Sequence, residues 1–280
     1  MRHASRGTAV LVLALGACSR QPSEPAPNPV TSSTPSDPTA LPVYVVLPLR
    51  PGESLTMDGR LDESAWQKTP KTRDFVHPGT GLALGPNAAV GGVVRLRYDQ
   101  ESLYFAFEAR DRNVRGGFPA DAVDPQLWTR DTVEIMLDPD GDGDNRDYYE
   151  IQINPQGLVF DSQFDAYNVP RVLPNGPFGH QDFDARIRRA VTILGTLDDP
   201  SNEDQGYIVE AALPWKCLTK AQAAPPPNGA EWRANFYVMK DNGGVSWSPI
   251  LGQGNFHTAA RFGRLRFGVT DLQPLPSGTQ

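Results

Sequence analysis

The chain has 280 residues, 39% of them hydrophobic and 21% charged, with a formal net charge of −7. That suits a folded domain with a sizeable core, and the acidic balance argues against nucleic acid or an anionic lipid surface as a partner, since both select for clustered Lys and Arg. Two cysteines (18 and 217) and four scattered histidines (3, 77, 180 and 257) show no zinc-ligand spacing.

Arg2 and Arg6 precede an apolar run, Ala9 to Ala14, that leads into Leu15-Gly16-Ala17-Cys18. A cationic head and an apolar stretch of fewer than ten residues read as a secretory signal, too short to span a bilayer. Leu-Gly-Ala-Cys resembles the bacterial lipobox, which implies that residues 1–18 form a lipoprotein signal and that Cys18 is acylated; an ordinary signal peptide is the plainer reading. At ~0.8 kcal/mol per buried methylene, several acyl chains anchor a protein firmly. Ser19 after the cysteine points to the outer membrane of a bacterial cell envelope. Without residues 1–18 there remain 24 basic and 33 acidic residues, a net charge of −9. Only Cys217 then has a free thiol, so no intramolecular disulfide is expected.

Residues 19–42 are rich in Pro, Ser and Thr and lack the apolar surface to offset their ordering entropy. They are expected to form a disordered tether, able to hold a domain ~70 Å away at ~3.1 Å per residue. Residues 43–274 show no internal linker and no repeat, so a single domain is expected.

Within it the periodicity is β almost throughout. Val94, Leu96 and Tyr98 alternate with Arg95 and Arg97; after the turn at Asp99 to Ser102, Leu103, Phe105 and Phe107 continue the apolar face. Tyr104, Ala106 and Glu108 fall on an opposite, wetter face, and Arg95, Arg97 and Glu108 are expected to form cross-strand ion pairs or to line a groove. A second hairpin places Val133, Ile135, Leu137, Ile151 and Ile153 inward. Its other face carries Glu134 opposite Gln152 and Met136 opposite Glu150. Further strands are expected at 158–163, 185–194, 207–213, 231–240 and 264–267, with helical turns at 62–66 and 214–218. Trp66, Trp215 and Trp232 are expected to pack in the core. Many short strands with frequent turns predict an all-β domain, a β-sandwich of jelly-roll type.

Two places offer chemistry. Asp138, Asp140, Asp142 and Asp144 alternate in a Gly-rich loop, the pattern of hard oxygen ligands that Ca²⁺ prefers. Strands flank the loop and position twelve is Tyr149, so it is not an EF-hand; the bland alternative is a solvated acidic turn. The outward face of the second hairpin gathers Glu134, Glu150, Gln152 and Asn154, with Trp128 just before it. Aromatic rings stack on sugar C–H groups while carboxylates and amides meet hydroxyls.

Met57-Asp58-Gly59-Arg60-Leu61-Asp62-Glu63-Ser64-Ala65-Trp66 resembles the opening of family 9 carbohydrate-binding modules and their DOMON-like relatives. So do Leu103-Tyr104, Trp128-Thr-Arg-Asp131-Thr-Val-Glu134-Ile135, Gly206-Tyr-Ile-Val-Glu210-Ala-Ala-Leu-Pro-Trp215, Trp247-Ser248 and Phe262-Gly263-Arg264-Leu265, all in family order. The resemblance implies a β-sandwich with structural Ca²⁺ that clamps a saccharide end between two aromatic rings. Trp128 matches the first ring and Glu134 a polar contact. The second ring belongs between Trp247 and Phe262, where Phe256 is the nearest aromatic and Trp247 stands close by. Gln152 aligns with an Arg that holds sugar in the binding members.

The leading expectation is thus a non-catalytic carbohydrate-binding lipoprotein, perched on the membrane through Cys18, with a possible accessory part in polysaccharide breakdown. Its site residues are Trp128, Glu134, Gln152, Phe256 and Trp247. The alternatives are an envelope scaffold that has lost sugar binding, a glycoside hydrolase component built on paired carboxyls, and a haem protein using Met136, Met239 or His257.

Overall fold

A computed structural model of the chain describes residues 37, 39–171, 176, 178–252 and 255–268. The signal, Cys18, nearly all of the tether, and residues 269–274 lie outside the described residues. Among those described, eleven strands form where the sequence alternates or runs β-branched: β1 (Val43–Pro48), β2 (Val90–Tyr98), β3 (Ser102–Asp111), β4 (Thr132–Asp138), β5 (Arg146–Ile153), β6 (Val159–Ala166), β7 (Arg188–Leu194), β8 (Gly206–Pro214), β9 (Glu231–Lys240), β10 (Gly243–Ser246) and β11 (Gly263–Phe267). Helical structure is limited to α1 (Ser64–Gln67) and three short 3-10 turns at Leu127–Thr129, Trp215–Cys217 and Ala259–Arg261.

One layer runs β6-β5-β4-β9-β11-β1 and the other β1-β2-β3-β8-β7. Strand β1 belongs to both. Val43 to Val46 pair in parallel with Arg264 to Phe267 of β11, after which Leu47 and Pro48 pair in parallel with Arg97 and Tyr98 of β2. Along its second edge β9 pairs first with β11 and then with β10. The inner faces meet in one apolar core, where Phe236 of β9 sits edge-on to Phe105 and Phe107 of β3 at 6.1 and 5.9 Å. Each fully buried aliphatic or aromatic side chain contributes ~1.5–3 kcal/mol. This is the expected β-sandwich.

Both hairpins have the register their patterns imply. Val94 faces Phe107 and Leu96 faces Phe105; Glu134 faces Gln152 and Met136 faces Glu150. A one-residue slip would turn every core side chain outward. Trp215 and Trp232 pack edge to face at 5.9 Å beside Phe267, and Cys217 is buried nearby with its thiol pushed up to about 12 by desolvation.

Two expectations need correction. The outer face of β3 is not wet: Leu49, Leu55, Met57, Leu61 and Trp66 fold over Tyr104 and Ala106 and bury them. Only the margin stays polar, where Arg95 and Lys71 pair with Glu108, and Arg97 pairs with Glu53. Trp247, expected near a saccharide, is a core residue, 1% exposed and tilted over Phe236 at 5.4 Å. A Cβ on Gly263 would stand 2.5 Å from its ring, so the strand beside it can carry only glycine there.

Candidate functional site

Several of the sequence landmarks turn out to build the frame. Glu210 of β8 is fully buried. Its Oε1 accepts a hydrogen bond from Trp66 Nε1 at 2.7 Å, and its Oε2 accepts from the backbone N–H groups of Asp58 and Gly59, each at 3.1 Å. Gly59 has φ of +81°, and a Cβ there would lie 2.6 Å from Thr192 Oγ1. Desolvation still raises the Glu210 carboxyl above its ordinary range. Asp131 plays a similar part before β4. The Lys240 ammonium donates to it at 3.0 Å and to Asp111 at 2.9 Å, while Arg115 N–H donates to Asp131 at 2.6 Å. Burial, and then the Asp111 charge, push Asp131 up to about 6.

The outer face of β4, β5, β6 and β9 forms the floor of a cavity of about 390 Å³. The strand register assembles that floor: Glu134 lies between Gln152 and Tyr237, and Gln152 lies beside Phe160 of β6. Trp128, Glu134, Gln152 and Phe256 all line this one cavity; Trp247 does not. The 3-10 turn at Leu127–Thr129 fixes Trp128, because Leu127 is fully buried and the Trp128 carbonyl accepts Asn242 N–H at 2.9 Å. The Trp128 ring stands edge-on to Phe160 at 5.2 Å. The Phe256 ring stacks on Tyr237 at 4.6 Å, and the Tyr237 hydroxyl donates to the Phe256 carbonyl at 2.9 Å.

Beneath the rings the polar groups are buried. Gln152 Nε2 donates to Glu134 Oε2 at 3.0 Å and to Glu150 Oε1 at 2.5 Å. Desolvation pushes Glu150 up to about 7; it raises Glu134 well above the usual carboxylate range, with the Glu150 charge adding to the effect. His257 is pushed down to about 4 by burial and is therefore neutral at pH 7. Its Nδ1 lies 2.8 Å from the Tyr148 hydroxyl and its Nε2 lies 3.5 Å from Glu150. Burial raises the pKa of the Tyr148 phenol, which stays protonated. Three oxygens of residues lining this cavity are closed off from solvent and have no hydrogen-bond partner: Glu134 Oε1, Gln152 Oε1 and Asn255 Oδ1. The arrangement sets flat aromatic faces over a floor of buried carboxyls and amides.

Sequence reasoning missed Phe160 and Phe164, whose alternation on β6 was the available signal, and also Tyr167, Phe178 and Asn255, which loops bring in. Of the residues considered for haem, Met239 and His257 line the cavity, while Met136 is fully buried beneath it.

At the far end of β4, Asp138, Asp140 and Asp142 each present a carboxylate oxygen, all within 4.8 Å of one another. Asp138 is buried and accepts from Gly143 N–H at 3.0 Å and Gly141 N–H at 3.3 Å. Desolvation first, then the Asp140 carboxyl, push it up to about 8. The donor set fits a hard cation. Asp144 stands outside this group, and its carboxylate accepts Arg146 N–H at 2.8 Å.

Residues 57–268 match the model of the carbohydrate family 9 binding domain-like family. The chain belongs to that family. Family 9 is a family of carbohydrate-binding modules, which are non-catalytic, so the chain is a binding protein and not an enzyme. Three solved structures share the fold. A family 9 module from Caldicellulosiruptor kristjanssonii in complex with cellotriose is 19% identical, with a TM-score of 0.54 over 85% of this chain and all of that one. In complex with glucose, a module from the same organism gives 17% identity and a TM-score of 0.52 over 83% of this chain and all of that one. A candidate carbohydrate-binding protein from Bacteroides uniformis is 19% identical, with a TM-score of 0.60 over 81% of this chain and all of that one. Among curated proteins, an extracellular protein of Arthroderma benhamiae is 23% identical over 181 residues, covering 62% of this chain and 77% of the relative.

Proposed function

We propose that the protein is a lipoprotein of the bacterial envelope, tethered through Cys18, that binds saccharide in the cavity over β4, β5 and β6. The observation that carries this reading is that Trp128 and Phe256 line the same cavity as the buried Glu134 and Gln152. Aromatic faces meet sugar C–H surfaces, and the polar floor meets hydroxyls. The cellotriose and glucose complexes of the Caldicellulosiruptor modules support this choice of ligand, and the extracellular relative agrees with export. Asp138, Asp140 and Asp142 would hold Ca²⁺, which would fix the β4–β5 loop by neutralising its carboxylates.

Titration calorimetry of the full chain with cellotriose tests the site. Trp128→Ala is expected to weaken binding more than tenfold, the equivalent of ~1.4 kcal/mol, about what burying one aromatic face against a sugar ring contributes. Equal affinity in wild type and variant would move the site elsewhere. A second reading, a scaffold that has lost its sugar, draws on Gln152 standing where binding members carry Arg; a folded chain that binds no saccharide would favour it.

A further inference from the structure

The floor of the cavity holds two buried carboxyls and, among the described residues, no cation to pair with them. Two carboxyls, Glu134 and Glu150, are 2% and 5% exposed, and the neutral amide of Gln152 lies between them. Because Gln152 Nε2 faces both carboxyls, its Oε1 is turned away from them. That oxygen has no partner, nor has Glu134 Oε1, nor Asn255 Oδ1 on the loop that carries Phe256. An unpaired buried acceptor is costly, and more so when charged.

No lysine or arginine lines the cavity among the described residues. The groups that face the carboxyls are Tyr148 on β5, Tyr237 on β9 and His257 on the loop before Ala259, all neutral at pH 7. Exposed Arg171 stands 5.4 Å from the centroid of the Phe178 ring and is not a lining residue. The walls are aromatic: Trp128, Phe160, Phe164, Tyr167, Phe178 and Phe256. Rings of this kind attract a cation through their quadrupoles, most strongly where water is excluded. A neutral sugar hydroxyl supplies one donor and no charge. An ammonium group supplies three donors and one positive charge, the counterpart that would let a carboxyl of this buried pair ionise.

We infer that the saccharide this cavity selects is an amino sugar with a free amine, its ammonium seated against the Glu134 and Glu150 carboxyls. The inference rests on the carbohydrate reading above and narrows it to one ligand class.

Three trisaccharides that differ only at C2 test it by calorimetry on the full chain at pH 7: cellotriose (hydroxyl), a β-1,4-linked glucosamine trisaccharide (ammonium) and its N-acetylated counterpart (neutral amide). Spermidine serves as a cation without a sugar. The expected result is a Kd for the glucosamine trisaccharide at least about tenfold below both neutral sugars and below spermidine. Glu134→Gln is expected to bring the ratio of glucosamine to cellotriose affinities close to one. If cellotriose or the acetylated sugar binds as tightly as the amine, the amino-sugar assignment is wrong while the carbohydrate reading survives. Equal binding of spermidine would overturn the sugar part of the assignment. Binding of none of the three sugars by folded chain would overturn both readings.

Discussion

Replacing Glu210 with Gln tests why the N-terminal landmark exists at all. One carboxylate receives three hydrogen bonds from the segment that precedes β2: the Trp66 indole at 2.7 Å and the Asp58 and Gly59 amides at 3.1 Å. An amide of the same shape keeps a single acceptor oxygen and puts an NH₂ donor where the other stood. With the oxygen toward Trp66, two backbone N–H groups lose their partner; with it reversed, the indole does. Each buried donor left alone costs ~1–3 kcal/mol. Relief of the buried charge, which burial disfavours here, offsets part of this, so the expected loss is ~2–3 kcal/mol. For a domain of this size that lowers Tm by about 4–12 °C. Thermal denaturation of the full chain followed by circular dichroism measures it. A shift under about 1 °C would mean that Glu210 does not hold the Asp58-to-Trp66 segment in place.

Two further predictions follow from buried carboxyls. Glu150, Asp161 and Asp138 are pushed up to about 7, 7 and 8, each mainly by desolvation, so the folded chain keeps protons that the unfolded chain has released above their ordinary values. Their stabilising contribution is full below about pH 4 and is lost as pH rises through 7 to 8. His257, lowered to about 4, acts in the opposite sense only below its ordinary value of 6.5. The urea midpoint in EDTA is therefore expected to fall between pH 6.5 and 8, and a rising midpoint would refute these assignments. Ca²⁺ must displace the Asp138 proton, so the gain in Tm on adding Ca²⁺ is expected to be larger at pH 8 than at pH 6 and to vanish in Asp138→Asn; no gain at either pH would show that the three carboxylates hold no Ca²⁺.

Much of the sandwich was legible because alternation reports which face is buried. Strand β9 begins and ends where the pattern places it, at Glu231 and Lys240, and the β4–β5 register pairs Glu134 with Gln152 as the alternation requires. What alternation does not report is what covers the other face. Tyr104 and Ala106 look half-wet along β3, yet a segment some forty residues upstream lies over them. The polar face of β4 and β5 has the same ambiguity: Glu134 and Gln152 read as solvated and are instead roofed by loops carrying Trp128 and Phe256. Strand β1 went unassigned although Val43 to Val46 is an unbroken run of β-formers between Pro42 and Pro48, because its pairing joins the two sheets and shows no clean period of two. Trp247 was misplaced for a related reason, since nearness in sequence to Phe256 says nothing about which side of β10 a ring leaves.

The polar floor bears on whether the site has decayed or changed. An Arg at position 152 would pair with Glu134 and Glu150 and compensate their charge inside the protein. Gln152 satisfies one oxygen on each carboxyl but brings no charge. The fold gains nothing from keeping two buried carboxyls with no cation beside them under an aromatic roof; replacing buried ionic groups with apolar residues of similar volume is often neutral or stabilising by ~1–4 kcal/mol. A pocket released from ligand binding would have that route open to it, and its orphaned acceptors would be the first groups to go. Here both carboxyls remain buried, with Glu134 Oε1 and Gln152 Oε1 unpartnered and Trp128 and Phe256 lining the same cavity. A carboxyl pair bridged by a neutral amide, kept buried beneath aromatic walls with no cation of its own among the described residues, is better explained by a ligand that brings the positive charge than by decay.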